Sequence, residues 1–321
     1  MIEFETIAEM IPLPATPEGW FDYGYTALAD GRLALIRTRK DVHSEFRRWR
    51  EAAQGGWGSP KHPQVWDDQM RLSIFDGTTE SDVAILPSGA YPVVDRMSDG
   101  RWLIAGSRAK EGEKNGVIYS ADGEKEWAMV LGDGIETLFC APDATIWVGY
   151  FDEGVFGGPK KDGSWPVSSG GLVQFDASGR VLWAFNEKYG EERGIDDIYA
   201  MTLCGDEVWA CYYSNFPIVK VSGGKAAFWS NGVAGAKAVA VKNDLVMLGG
   251  GYNDRLDRIT LVKLEGNSSR ELGSLRHSKM TRGKAGLFQG RGSVMHLVSD
   301  GVWFKASVYK AAAAITQGSS F

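Results

Sequence analysis

The chain has 321 residues, a formal net charge of −6 and 44% hydrophobic residues, with 12 Trp, 11 Tyr, 14 Phe and 41 Gly. Its Lys and Arg residues are scattered, so no sustained basic surface is offered to nucleic acid, and no apolar run approaches the length of a membrane span. The three cysteines, Cys140, Cys204 and Cys211, sit in apolar strand-like runs without paired spacing, which argues against a disulfide framework and suits a reducing, cytoplasmic compartment.

Met1 to Met10 carries Glu3, Glu5 and Glu9 and no basic segment followed by an apolar one, so no secretory signal is expected. Ile2-Glu3-Phe4-Glu5 alternates as a strand awaiting a partner. From there one element recurs six times: an apolar strand, a tight polar turn and a second apolar strand, often led by tryptophan. The second strands are predicted to begin at Leu33, Trp102, Ile146, Val208, Leu245 and Val302. Turns such as Asp30-Gly31, Asp99-Gly100 and Asp300-Gly301 precede them, with the φ > 0 or Asx chemistry that closes antiparallel hairpins.

Five of these hairpins are followed by another, around Asp76-Gly77, Asp122-Gly123, Asp176 to Gly179, Gly223-Gly224 and Gly266-Asn267. Two hairpins make a four-stranded unit. After the sixth inner hairpin, Ser293 to Ser307, only the alanine-containing run Tyr309 to Phe321 remains. The expected fold is therefore an all-β, six-bladed propeller of four-stranded antiparallel blades, forming a single domain over residues 1–321. The N-terminal segment is expected to pair into the last blade and close the ring, which removes an open edge.

In such a ring, loops from second to third strands share one face with the connections between blades, and binding sites are commonly displayed on a face of long loops. Two insertions belong there, residues 39–70 and 151–170. The first contains a predicted helix starting at Asp41, with Val42, Phe46, Trp49 and Ala53 inward and Arg47, Arg48 and Arg50 on the solvated side. The second begins with Tyr150, Phe151, Asp152 and Glu153, aromatics beside carboxylates that can hold a sugar, a cation or a basic side chain. Tyr212, Tyr213 and Asn215 repeat that chemistry in the next blade. Residues leading into the innermost strands are expected to ring the axial pocket: Glu136, Asp196, Asp197, Lys237 and Arg291, joined by Asn253, Asp254 and Arg255. Acidic groups on blades three and four, facing basic ones on five and six, suit a polar or zwitterionic ligand.

The chain lacks a Gly-x-Ser-x-Gly elbow, a phosphate-cradling loop, a His-Glu-x-x-His helix, a Cys-x-x-Cys pair and an EF-hand loop. Its histidines are His43, His62, His277 and His296. Of these, His296 reads as an interior residue and His277 as the candidate acid or base, with Asp152 as the alternative base. Glu136, Asp197 and Asn253 are oxygen donors that a ring can bring together around calcium or a similar divalent cation.

The repeated strand, Asp-Gly turn and Trp-led strand, with Phe175-Asp176-Ala177-Ser178-Gly179-Arg180-Val181-Leu182-Trp183, resembles six-bladed propellers of the NHL and regucalcin/gluconolactonase type. The lactonase branch implies an axial divalent cation held by Glu, Asn and Asp; the first blade here offers Tyr23-Gly24-Tyr25 and no matching Glu. The leading expectation is a binding propeller that recognises a polar small molecule or a protein on its long-loop face. The alternative is a metal-assisted hydrolase or lactonase.

Overall fold

Alternating apolar residues punctuated by turns fold into six sheets in the computed structural model, which describes residues 2–53, 69–88, 91–253, 256–277 and 285–318. Two short strands come first, β1 (Ile2–Glu3) and β2 (Glu9–Pro12). Blade one is β3 (Phe21–Ala27), β4 (Leu33–Thr38), β5 (Gln69–Phe75) and β6 (Glu80–Pro87); blade two is β7 (Pro92–Arg96), β8 (Trp102–Gly106), β9 (Gly116–Tyr119) and β10 (Lys125–Met129). Blade three is β11 (Ile135–Cys140), β12 (Ile146–Tyr150), β13 (Leu172–Phe175) and β14 (Val181–Ala184). Blade four is β15 (Ile198–Cys204), β16 (Glu207–Tyr212), β17 (Ile218–Ser222) and β18 (Lys225–Trp229). Blade five is β19 (Ala238–Lys242), β20 (Leu245–Gly249), β21 (Arg258–Glu265) and β22 (Ser268–Arg276). Blade six holds β23 (Ala285–Arg291), β24 (Val294–Ser299) and β25 (Val302–Ser307). Each is an antiparallel sheet, so the chain is a six-bladed propeller.

The ring is closed by β2, which pairs antiparallel with β25 from Glu9↔Lys305 to Pro12↔Val302 and supplies the fourth strand of blade six. The closing strand is thus Glu9–Pro12. Ile2–Glu3, the stretch whose alternation suggested a strand, instead adds to blade five as a fifth strand, parallel to β22. The C-terminal alanine run forms the helix Val308–Gly318, which packs on β1, β22 and β25.

Blade six departs from the sequence expectation by one strand. Its innermost strand is Ala285–Arg291, so Arg291-Gly292 makes the first turn, and Asp300-Gly301 joins the second strand to the third. Because successive strands reverse direction, this shift moves both turns to the opposite ends of the molecule. The Leu13 amide, just past β2, donates to the Gly301 carbonyl at 2.8 Å, which fixes that turn on the long-loop side.

Six buried clusters account for the core, one in each gap between neighbouring blades. Trp102 and Trp303 are among the largest fully buried side chains, and burying one large apolar side chain contributes roughly 1.5–3 kcal/mol. In the first insertion the helix Val42–Ala53 forms as expected, with the Asp41 carboxylate accepting the Ser44 amide at 2.9 Å and Val42 buried. The side chains of Phe46, Trp49 and Ala53, and His62, lie outside the described residues. Among the described residues no helix is long and apolar enough to cross a membrane.

Candidate functional site

All six innermost strands line a cavity of about 250 Å³ on the axis, with Tyr23, Val93, Glu136, Tyr199, Lys237 and Phe288 each contributed by a different blade. These positions come near the start of their strands, where the chain arrives from the neighbouring blade on the long-loop face. Insertion residues converge there too. The Tyr213 amide donates to the Asp197 carbonyl at 2.9 Å, and the Tyr252 amide to the Ala234 carbonyl at 3.0 Å.

Around this mouth the aromatics form a connected wall. Tyr199 and Tyr252 join their hydroxyls in a hydrogen bond and meet edge to face at 6.1 Å. Phe216 packs at 5.6 Å from both Tyr213 and Tyr252. Tyr213 is 50% exposed and Tyr252 40%, so the wall faces outward. The Lys237 ammonium sits 3.7 Å from the centre of the Tyr199 ring, where the negative π-face attracts a cation. The loop carrying this wall is strained: Asn215 and Phe216 are consecutive non-glycine residues at φ of 62° and 49°. Left-handed conformations of this kind concentrate where a side chain must be held in place.

Carboxylates lie beside the wall. Glu136 is exposed and lines the axial cavity. Loss of hydration there raises its pKa, Asp197 adds to the rise, and the Lys237 charge opposes it. Asp197 is half-buried and is pushed up to about 6, first by desolvation and then by Asp152 and Asp196, again against Lys237. Among the described residues, these negative groups share one ammonium, that of Lys237.

The structure brings together Glu136, Asp152, Asp196, Asp197 and Tyr213 from the sequence-derived set, with the exposed Asn215 beside them. Asp196 accepts a hydrogen bond from the Ser214 hydroxyl. Glu153 is exposed and is engaged by Arg108, which also grips Asp133 at 3.0 Å. Tyr150 and Tyr212 do not reach the mouth. Both are buried in the sheets, donating their hydroxyls to the carbonyls of Leu131 and Arg193 respectively. Asn253 is exposed at φ 59°, while Asp254 and Arg255 lie outside the described residues.

Arg291 ends β23 instead of leading into an innermost strand, so it stands at the far mouth of the channel. With Arg291 gone from the near mouth, the expected split of charge becomes an acidic excess among the described residues. His277 lies outside the axial cavity. It is fully buried, 4.8 Å edge-on to Phe304, and its amide donates to the Asp257 carbonyl at 2.9 Å. His296 is interior as expected: its Nδ1 accepts the Trp303 indole N–H at 3.2 Å, and burial lowers its pKa to about 3. Cys140 and Cys211 are buried and Cys204 is partly so; burial pushes the Cys204 thiol up to about 11 and the Cys211 thiol to about 12.

Tyr199 and Tyr252 were not singled out from the sequence. A signal for Tyr199 existed, because it lies two residues after Asp197 at the start of an inner strand. Among the described residues, no group of three or more His, Cys, Asp or Glu side chains is placed to hold a metal ion. Glu136 and Asp197 face Lys237, which already supplies positive charge.

No protein-family model matches the chain, and no curated protein matches its sequence. Solved structures match its fold. A chain of a mitotic checkpoint complex superposes at TM-score 0.53 and 9% identity, covering 96% of this chain and 98% of that one. Virginiamycin B lyase from Staphylococcus aureus, in a catalytically inactive form with quinupristin, gives 0.50 at 9% identity, covering 93% and 98%. The PQQ-bound aldose sugar dehydrogenase from Streptomyces coelicolor gives 0.50 at 11%, also covering 93% and 98%. At such identities the likeness is one of fold, a scaffold that carries assembly, lyase and dehydrogenase proteins alike.

Proposed function

We propose that this chain is a binding propeller that draws a cationic group, an amine or guanidine on a polar small molecule or polypeptide, into the mouth of its axial channel on the long-loop face. The observation that carries this reading is the arrangement of the mouth, where an ammonium, that of Lys237, already lies 3.7 Å from the centre of the Tyr199 ring beside Asp197, whose pKa desolvation and then Asp152 and Asp196 raise to about 6. A carboxylate held at such a cost lowers its free energy when a cation arrives, and the tyrosine wall offers that cation a π-face. The lactonase alternative would use the same carboxylates for a divalent ion, which makes calcium the discriminating probe.

The experiment is calorimetric titration of the full chain with spermidine, with a blocked Gly-Lys-Gly tripeptide and with calcium. Binding of at least one organic cation is expected, with Asp197→Asn weakening it by about tenfold or more, the worth of one charge-assisted contact. Lys237→Gln is expected to strengthen it, by removing a competing ammonium and freeing the Tyr199 face. Weaker binding in Lys237→Gln, or binding of calcium alone, would overturn the proposal.

A further inference from the structure

The outermost strand of a blade turns one row of backbone groups away from its sheet, and folds blunt such edges with bulges, charges, proline or a covering strand. In blade one β6 carries Glu80, Asp82 and Pro87 and pairs through a register shift. β10 and β14, in blades two and three, also pair through register shifts. In blade five β1 adds to β22, and β2, outermost in blade six, carries Glu9 and Pro12. β18 in blade four is different. It pairs with β17 through five unshifted pairs, and from Ala226 to Trp229 it has no charge, no proline and, among the described residues, no covering strand.

Along an antiparallel strand, residues alternate between bonding to the partner strand and facing away from it. The Ala226 amide faces away from β17 and donates to the Tyr189 hydroxyl at 2.9 Å. The Ser230 amide does the same to the Asn267 carbonyl at 2.9 Å, and its carbonyl accepts the Ser269 amide at 2.8 Å. Phe228, midway between them, therefore turns its own amide and carbonyl outward, and among the described residues neither has a partner there. A groove of about 860 Å³ is lined by Ala226 to Ser230 in succession, by the end of the helix Phe185–Arg193 and by the Gly266-Asn267 turn. Its charged lining comprises three carboxylates, of Glu191, Glu192 and Asp196, against the one guanidinium of Arg193, which is drawn over the Phe228 ring at 4.5 Å. Unmet strand-edge groups suit an extended backbone, and acidic walls suit basic side chains on it.

We infer that the groove along β18 docks an extended, basic segment of a partner protein, whose backbone accepts from the Phe228 amide and donates to the Phe228 carbonyl while its lysines or arginines face Glu191, Glu192 and Asp196. Asp197 does not line this groove, so the inference stands apart from the cation reading of the axial mouth. Its test is calorimetric titration of the full chain carrying Asp197→Asn, which weakens the axial mouth. The probes are acetyl-Lys-Val-Lys-Val-Lys-amide and the same peptide N-methylated at every residue. Saturable binding of the first, in the micromolar to millimolar range, is expected. The methylated peptide, equal in charge but without backbone donors, is expected to bind at least about tenfold more weakly.

Ala227→Lys, added to that chain, puts on this edge the kind of charge that guards β6 and removes no backbone donor from the pairing with β17. It is expected to weaken the unmethylated peptide by about tenfold or more, through repulsion of its lysines. Equal affinity for the two peptides would mean that charge alone is read, and the strand-edge inference would fall. An absence of saturable heat, or full affinity in Ala227→Lys, would overturn it as well. The peptide comparison needs no change at the edge and decides the matter even where Ala227→Lys folds poorly.

Discussion

Asp197 links the proposed function to stability. Its folded pKa of about 6 lies above the ordinary 3.8, so between those values the folded chain holds a proton that the unfolded chain has released. The contribution to stability is therefore full below the unfolded pKa and is lost as pH rises through the folded one. Asn in its place never ionises. Asp197→Asn is accordingly expected to raise Tm by about 1–3 °C near pH 8 and to leave it unchanged near pH 4, while cation binding weakens by about tenfold or more. Thermal melts at the two pH values check this. A lower Tm near pH 8 would make Asp197 a structural residue, and the argument for a cation would lose its footing. Phe216, a bulky residue held at φ 49°, points the same way, since such an angle costs it strain that glycine would avoid.

The elements that close the ring show how unequal two neighbouring strands can be. β2 completes blade six, whereas β1 only adds to the outer edge of blade five. Between them Phe4 is fully buried in the cluster with Leu275, Phe304 and Ile315. Phe4→Ala is expected to cost about 3 kcal/mol, as large-to-small core changes do, and still to fold, because β2 remains. Removal of residues 1–12 bares the edge of β25 and is expected to give aggregating protein. Denaturant titration and size-exclusion profiles distinguish the two, and a monomeric, cooperatively folding truncation would show that β2 is dispensable.

Blades one to five were legible because each hairpin carries apolar alternation and a turn with its own chemistry. The sixth inner strand was not. Ala285–Arg291 contains Gly286 and Gly290, and a Cβ at Gly290 would run into the carbonyl of Val239 on the adjacent inner strand. Crowding at the axis demands small residues, and these erase the apolar signal by which a strand is recognised. Missing that strand reversed the direction of the next one, and with it the end of the molecule to which Arg291 was assigned. The aromatic wall was only half legible for another reason: Tyr199 and Tyr252 lie 53 residues apart and meet only because two blades are adjacent.

At the scale of the whole molecule the long-loop mouth acts through its field, and salt tests it. The chain carries a net charge of −6, and among the described residues the long-loop mouth adds a local excess of carboxylates over Lys237. An approaching cation is therefore drawn by a field that extends beyond contact, and counter-ions shorten its reach from about 10 Å at 0.1 M salt to about 3 Å at 1 M. Spermidine affinity is expected to fall by about tenfold between 20 mM and 300 mM sodium chloride. Salt-independent spermidine binding would place that cation somewhere other than the acidic mouth.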